Sequence, residues 1–385
     1  MKLSFLASVS AAALMIAGSA LAATTATAGN NTATVSQPGS SNNASIDQTN
    51  ASNGNSKITQ TSDGNAASSY QSGGGEGGGS SGATSTIDQS GAGNQSANVY
   101  QNGSSDSTVT QNGTSGQATV YQDGPGSHGN SSSVTQSGSN DVVGATDGSA
   151  AANRSGAPGV YQYGSYNSST VNQSGNGDQA SVSQDSTQRT APGSTADCCS
   201  SDNNNFFNVS NINQTGNSDS ATVSQIGDNS ADIRQDGNSE TATATQSGYS
   251  NSATIAQAAG TDGSTASVDQ YGDHNSGTIN QTSGQNTASI SQGSSGADAS
   301  SNTGTVNQSG QYNTGTITQA SFGNGATIDQ SGMNNTGTVD QTGYNNTASI
   351  SQPGNSNTGT ISQAGFGNTA GITQGGNSNV ATIHQ

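Results

Sequence analysis

The stretch that decides the fold is residues 309–385, which read SGQYNTGTITQ, ASFGNGATIDQ, SGMNNTGTVDQ, TGYNNTASISQ, PGNSNTGTISQ, AGFGNTAGITQ and GGNSNVATIHQ in blocks of eleven. Every block ends in glutamine. Asparagine stands six positions before each glutamine, Gly or Ala four before, and Ile or Val two before. Alternate side chains of a β-strand point to one face. Each block therefore predicts a short strand with these four positions on one face, followed by a Gly-rich turn.

The inward face predicts two kinds of structural residue. Buried amides are costly unless they are paired, and stacked amides can bond to the identical side chain one rung above and below. The predicted amide ladders are Asn313, Gln319, Asn324, Gln330, Asn335, Gln341, Asn346, Gln352, Asn357, Gln363, Asn368, Gln374, Asn379 and Gln385. The predicted core between them is Ile317, Ile328, Val339, Ile350, Ile361, Ile372 and Ile383.

The blocks alternate between two types. Those ending at Gln319, Gln341 and Gln363 have Gly four residues before the glutamine and an aromatic residue three after it, whereas the blocks between have Ala and then Met or Asn. The repeat is therefore a 22-residue rung of two strands and two unlike turns. The predicted fold class is all-β: a two-sheeted β-solenoid, an amyloid-like cross-β stack of 11-residue strand-turn units. Turn glycines are expected to adopt positive φ.

Composition alone would predict disorder. Only 26% of residues are hydrophobic, 7% are charged, and 55 are glycine, whereas globular domains have roughly 45–50% apolar residues. The regular spacing indicates a different source of stability, namely repeated backbone pairing and side-chain ladders.

The charge excludes nucleic-acid binding. The net charge is -18 with five Lys and Arg in all, so no basic patch can form. The thinly scattered acids are interpreted as surface groups that control solubility. Five aspartates directly before a unit-ending glutamine face outward and are predicted gatekeepers that slow self-association by charge repulsion: Asp47, Asp88, Asp269, Asp329 and Asp340.

The first 22 residues are predicted to be a signal peptide, with Lys2, an apolar run and the small-x-small site Ala20-Leu21-Ala22. Residues 23–30 are a short leader, and residues 31–385 form the solenoid. Insertions are expected as loops at the turns, at about residues 72–82, 141–159, 185–208 and 293–302. No other stretch is long and apolar enough to span a bilayer. We expect a secreted protein with no transmembrane segment in the mature chain.

No catalytic, cofactor-binding or metal site is predicted. His128, His274 and His384 are each isolated, and Ser and Asp are so frequent that any Ser/His/Asp set is uninformative. The adjacent Cys198 and Cys199 lack partners for zinc and are interpreted as an incidental pair in a loop.

The stretch Gln341-Thr-Gly-Tyr-Asn-Asn346-Thr-Ala348-Ser-Ile-Ser-Gln352 resembles the repeat of curlin, the subunit of bacterial curli fibres. The resemblance covers nearly the whole mature chain, strictly in 209–292 and 309–385. It implies a secreted functional amyloid that polymerises on the cell surface for adhesion and biofilm matrix. It also implies a nucleator subunit and an outer-membrane export pore as partners, with the stacked Asn and Gln residues driving fibre growth. The chain is longer than usual members and nearly lacks their repeat-free segment after the signal.

Two alternatives to a fibre subunit stay open. The outward face of one strand set reads Thr-x-Thr at Thr314/Thr316, Thr336/Thr338 and Thr358/Thr360, a pattern that an ice-binding solenoid would also use. A surface adhesin that forms no fibres is the other. The repeat continues to Gln385 without a polar cap, which is expected to favour end-to-end addition of further copies.

Overall fold

The structure is a computed structural model that describes residues 15–16, 21–26, 30–49, 51, 53–72, 82–123, 129–144, 159–186, 207–293 and 299–385. The chain divides into two compact units, Met1–Ser186 and Thr187–Gln385. Each unit is a β-solenoid of parallel strands, and the described residues contain no helix. The predicted all-β solenoid is therefore confirmed. Accordingly, no described segment is a helix able to cross a membrane.

The strands are short and end mostly at glutamine. In the first unit they are β1 (Met15–Ile16), β2 (Leu21–Ala26), β3 (Thr32–Gln37), β4 (Asn43–Thr49), β5 (Asn55–Gln60), β6 (Ala66–Ser72), β7 (Thr84–Gln89), β8 (Ser96–Asn102), β9 (Asp106–Gln111), β10 (Gln117–Asp123), β11 (Ser131–Gln136), β12 (Val142–Val143), β13 (Val160–Tyr163), β14 (Ser168–Gln173) and β15 (Gln179–Asp185). In the second unit they are β16 (Val209–Gln214), β17 (Ser220–Gln235), β18 (Thr241–Gln257), β19 (Thr265–Tyr271), β20 (Ser276–Gln281), β21 (Thr287–Gln292), β22 (Thr303–Gln308), β23 (Thr314–Gln319), β24 (Gly325–Gln330), β25 (Thr336–Gln341), β26 (Thr347–Gln352), β27 (Thr358–Gln363), β28 (Thr369–Thr373) and β29 (Val380–His384).

Most strands pair in parallel with the next strand but one. Thus β23 pairs with β25 and β25 with β27, while β24 pairs with β26 in a second stack. The register places Thr316 opposite Thr338 and Thr338 opposite Thr360, a shift of 22 residues per rung. The predicted 22-residue rung is confirmed, because each strand type stacks on its own kind.

The two stacks of a unit interlock through the small residues of one and the branched residues of the other. A Cβ added to Gly337 in β25 would lie 2.9 Å from Cγ2 of Ile328 in β24. The same relation joins Gly315 to Val306 at 2.7 Å. A side chain at the Gly position therefore competes with the core residue of the facing strand, which accounts for Gly or Ala four residues before each glutamine.

Positive φ in the turns is shared between glycines and other residues. Positive φ falls on the residue directly before the asparagine, as at Asn334 (58°) and Asn345 (53°). The glycine two residues after the glutamine has positive φ in some turns, as at Gly103 (97°) and Gly272 (98°). Gly332 serves close approach instead, since a Cβ there would overlap the carbonyl oxygen of Gly354 in the next rung. The expectation that turn glycines adopt positive φ is therefore confirmed for some turns and wrong for Gly332 and its equivalents in residues 309–385.

Two strands continue around a turn. β17 and β18 run for 16 and 17 residues and span what the sequence predicts as two strands each. They bend at Gly227 and Gly248, whose φ values are 107° and 123°. Backbone pairing persists through the bend, with a register shift at Asp228/Asn229.

The insertion predicted at a turn over residues 141–159 instead interrupts a strand. β12 pairs with Gln117 and Ala118, and β13 continues the same row opposite Val120 to Asp123. The chain leaves this row at Gly144 and rejoins it at Gly159, both close to the outward-facing Thr119. Because the chain leaves and rejoins the row at an outward position, the inward residues Val143 and Val160 remain buried.

The insertions predicted at residues 72–82, 185–208 and 293–302 lie mostly outside the described residues. Cys198 and Cys199 also lie outside them. Near the start, β2 spans the boundary between the predicted signal peptide and leader. It pairs in parallel with β4, from Leu21 opposite Asn43 to Ala26 opposite Gln48.

Candidate functional site

The unit-ending glutamines form two continuous ladders in each unit. In the second unit every glutamine donates from Nε2 to Oε1 of the next glutamine in its stack, at 2.8–3.0 Å. The first unit repeats the pattern from Gln37 to Gln173 and from Gln48 to Gln184. All donors point toward later residues, so each ladder has one direction.

Each glutamine also joins the two stacks. Gln341 Nε2 donates to the carbonyl oxygen of Gly325, the first residue of the facing strand β24, at 3.1 Å. Gln330 reaches Thr314 O in the same way at 2.9 Å. Both hydrogens of the amide are therefore used, one along the stack and one across it. These glutamines are fully buried, so the bonds form away from water.

The asparagines make a different contact from the stacked amides that the sequence predicts. Asn313 Oδ1 accepts from the backbone N–H of Asn335 at 2.9 Å, and Asn313 Nδ2 donates to Gly332 O in the adjacent turn at 2.8 Å. Asn324 and Asn346 repeat the pattern. A shorter side chain places its amide beside the turn backbone, so asparagine fixes the turn of the next rung. The predicted contact between asparagine side chains is made in some rungs, as between Asn379 and Asn357, Asn167 and Asn130, Asn251 and Asn229, and Asn302 and Asn275.

The structure brings the predicted inward residues together in these stacks. Ile317, Ile328, Val339, Ile350 and Ile361 have no exposed surface, and Ile372 is 5% exposed. Along the edge rungs Asn368, Ile383, Asn379 and Gln385 are partly or fully exposed.

The five outward aspartates do not come together. Asp47, Asp88, Asp269 and Asp340 are half-buried on the outer faces and Asp329 is exposed. In its column Asp340 lies between Thr318 and Ser362. Asp329 accepts a hydrogen bond from Asn307 at 2.6 Å. Each carboxylate is thus separated from the next by neutral side chains.

Four acids occupy inward positions where other rungs have asparagine, and the interpretation of the acids as surface groups is wrong for them. Asp141, Asp178, Asp219 and Glu240 are at most 1% exposed. Burial raises the pKa of Asp141 to about 6, against the hydrogen bond from the Asp178 N–H, which lowers it. Burial also raises the pKa of Glu240 to about 8. Their place six residues before a glutamine could have revealed Asp178, Asp219 and Glu240 from sequence.

Tyrosines form a second feature that sequence reasoning missed. Tyr70, Tyr100, Tyr121 and Tyr161 stand one residue before their glutamines and stack in a row, with ring centroids 4.8, 4.6 and 5.3 Å apart. Burial raises the pKa of Tyr100, and the neighbouring Tyr70 and Asp123 add to the shift. The exposed aromatics of the turn, Phe322 and Tyr344, also stack, at 6.0 Å. In-register pairing turns any repeated outward residue into such a row.

No group of His, Cys, Asp and Glu suited to a metal ion occurs among the described residues. The described ladders and outward rows offer hydrogen bonding, packing and, at the buried acids, proton exchange.

Comparison with known families supports the sequence pattern. The family profile described as the curlin associated repeat matches residues 29–61, 228–258, 237–271, 323–354 and 354–385. These segments lie in both units. No curated protein matches the chain.

Proposed function

Because this chain belongs to the curlin repeat family, a structural and non-enzymatic family of extracellular subunits, we propose that it self-assembles into amyloid-like fibres. The fibres would lie on the cell surface and serve adhesion and the biofilm matrix. Export would use the predicted signal peptide at residues 1–22. A nucleator subunit and an outer-membrane pore would be the partners, as the family resemblance implies.

One observation carries this proposal. Each rung accepts hydrogen bonds from the rung before it and offers the same donors, at the same positions, to the rung after it. Gln341, for example, accepts from Gln319 and donates to Gln363. A rung from another copy presents an equivalent set of groups, so the contacts that stack rungs within a chain can also join chains.

Fibre formation tests the proposal. The secreted chain is incubated and followed by thioflavin T fluorescence, electron microscopy and fibre diffraction. We expect unbranched fibres with a reflection near ~4.7 Å along the fibre axis. Thr338→Pro, which removes a ladder N–H from β25, is the matched control and should slow growth. A soluble monomer after long incubation, still able to coat surfaces, would overturn the fibre proposal in favour of a non-fibrous adhesin.

The outer face of the second unit supports ice binding as a second candidate. Thr316, Thr338 and Thr360 lie in one row, flanked by the row of Thr314, Thr336 and Thr358. The third row of this face carries Asp340 and His384 instead of threonine. Thermal hysteresis of the monomer separates the candidates: marked hysteresis without fibres favours ice binding, and its absence removes this candidate.

A further inference from the structure

The position of Asp141 in its rung is that of an asparagine elsewhere. In a regular rung, the asparagine amide nitrogen lies beside the turn glycine three residues earlier. A Cβ built on Gly354 would contact the Gly376 carbonyl oxygen and would lie 3.0 Å from Asn357 Nδ2. Asn357 donates to that carbonyl at 2.8 Å. A Cβ placed on Gly138 would likewise meet the Gly175 carbonyl oxygen and, at 2.7 Å, Asp141 Oδ2. Asp141 Oδ2 therefore stands where the amide donor stands in a regular rung.

An ionised carboxylate cannot make that bond, because it carries no hydrogen to donate. Asp141 Oδ1 does what an asparagine oxygen does and accepts from the Asp178 N–H at 3.3 Å. Its Oδ2 is buried without a hydrogen-bond partner. A proton on Oδ2 would turn it into a donor and complete the asparagine pattern toward the turn carbonyl.

Glu240 repeats the arrangement in the second unit. Its backbone N–H donates to Asp219 Oδ1 at 3.0 Å, and its Oε2 accepts from the Gly237 N–H at 3.2 Å. Oε1 is buried with no partner. A Cβ on Gly237 would lie 2.5 Å from Oε1 and 3.0 Å from Thr261 Oγ1, so this oxygen points into the turn.

The charged neighbours of both sites are acids. Asp178 is the acid that acts on Asp141, and the facing stack presents the neutral Gln173, which donates to Val142 O. Asp219, Asp236 and Asp262 act on Glu240. Arg234, in the preceding strand β17, is exposed and paired with Asp236 at 2.7 Å. None of these groups offsets the charge of an ionised Asp141 or Glu240 within the core.

We propose that Asp141 and Glu240 are proton-binding sites built into the solenoid, which make it more stable in acid than at neutral or alkaline pH. The protonated carboxyls complete the rungs, and ionisation leaves an uncompensated charge and two facing acceptors in the core. The proposal concerns the folded chain itself and holds whether or not the chain forms fibres.

The direction with pH follows from linkage. The pKa of Asp141 rises from an ordinary 3.8 to about 6 on folding, so its contribution is full below 3.8 and is lost as pH rises through about 6. For Glu240 the corresponding window runs from 4.5 to about 8. Since one pKa unit is a tenfold change in equilibrium constant, the folding constant falls about a hundredfold over the Asp141 window and on the order of a thousandfold over the Glu240 window.

The test measures urea unfolding of the soluble full chain from about pH 3.5 to about pH 9, with Asp141→Asn and Glu240→Gln as variants. Both replacements have precedents in the fold, because Asn357 and Gln95 occupy equivalent positions and Gln95 donates to the Gly113 carbonyl at 2.6 Å. Each variant should remove its own window from the pH profile and exceed the parent in stability at alkaline pH. The surface acids are the same in parent and variant, so their contribution to the pH dependence of stability cancels in the difference.

A reverse substitution keeps the proposal falsifiable. Asn335→Asp places an acid in a regular rung, where Asn335 Nδ2 donates to Gln352 O. We expect this variant to lose stability at neutral pH and to regain it in acid. The proposal is overturned if Asp141→Asn and Glu240→Gln keep the pH profile of the parent, or if Asn335→Asp destabilises equally at every pH.

Discussion

Replacing Gln341 by Ala is the most informative perturbation of the glutamine ladder. Gln341 accepts from Gln319 at 3.0 Å, donates to Gln363 at 2.9 Å, and crosses to Gly325 O at 3.1 Å. The substitution removes all three bonds from a side chain with no exposed surface. It also leaves Gln363 Oε1 buried without its donor.

The expected loss follows from these contacts. A neutral hydrogen bond contributes about 1 kcal/mol net, and a buried group left without a partner costs ~1–3 kcal/mol more. Three bonds and one orphaned oxygen sum to about 4–6 kcal/mol. Gln385→Ala is the matched control, because Gln385 is exposed and its cross-stack bond to Thr369 O is 3.4 Å long. Water can replace its contacts, so we expect less than about 1 kcal/mol there.

Urea unfolding of the soluble chain, followed by circular dichroism, compares the two variants. We expect a lower midpoint for Gln341→Ala with an unchanged slope of the unfolding free energy against urea concentration. If Gln341→Ala and Gln385→Ala unfold within about 0.5 kcal/mol of each other, the ladder does not carry the stability assigned to it.

Three further substitutions probe packing, turn geometry and surface charge. Gly337→Ala should lower the free energy of unfolding by ~1–3 kcal/mol, because the added Cβ overpacks against Ile328. Gly371→Ala, whose added Cβ has no atom within 4 Å, should leave it unchanged. The unfolding temperature of each variant checks this. Asn334 has φ of 58°, so Asn334→Val should lower stability by ~1–3 kcal/mol and Asn334→Gly should not; equal losses would contradict the turn assignment. Changing the five outward aspartates to Asn should shorten the lag before fibres appear, and an unchanged lag would count against their predicted role as gatekeepers.

The sequence was sufficient to predict the 22-residue rung because the same residue types recur at fixed positions in each block. Asn, Gly or Ala, Ile or Val, and Gln recur at fixed offsets, and alternate positions of a strand must share a face. The alternation of Gly337 with Ala348 further separated the two stacks. Each of these features depends on local geometry alone, and all of them are present in the folded chain.

Other features depended on contacts between rungs, which spacing does not specify. The stacked-amide pattern fits glutamine, but the shorter Asn313 reaches a turn carbonyl instead. The excursion between Gly144 and Gly159 could not be placed within a strand, since the row is completed only by pairing with β10. The composition shows how many acids the chain has but not which face of a strand each one occupies. It therefore could not distinguish the buried Asp141 and Glu240 from surface acids.

The 22-residue rung is the central claim, and paired spin labels test it most directly. Cysteines introduced at Thr316 and Thr338, with Cys198 and Cys199 replaced by Ser, would carry labels on neighbouring strands ~4.8 Å apart. A second pair at Thr316 and Thr327 would place the labels on opposite outer faces. We predict strong dipolar broadening of the electron paramagnetic resonance spectrum for the first pair and none for the second. Broadening for Thr316 and Thr327, or a narrow spectrum for Thr316 and Thr338, would contradict the account.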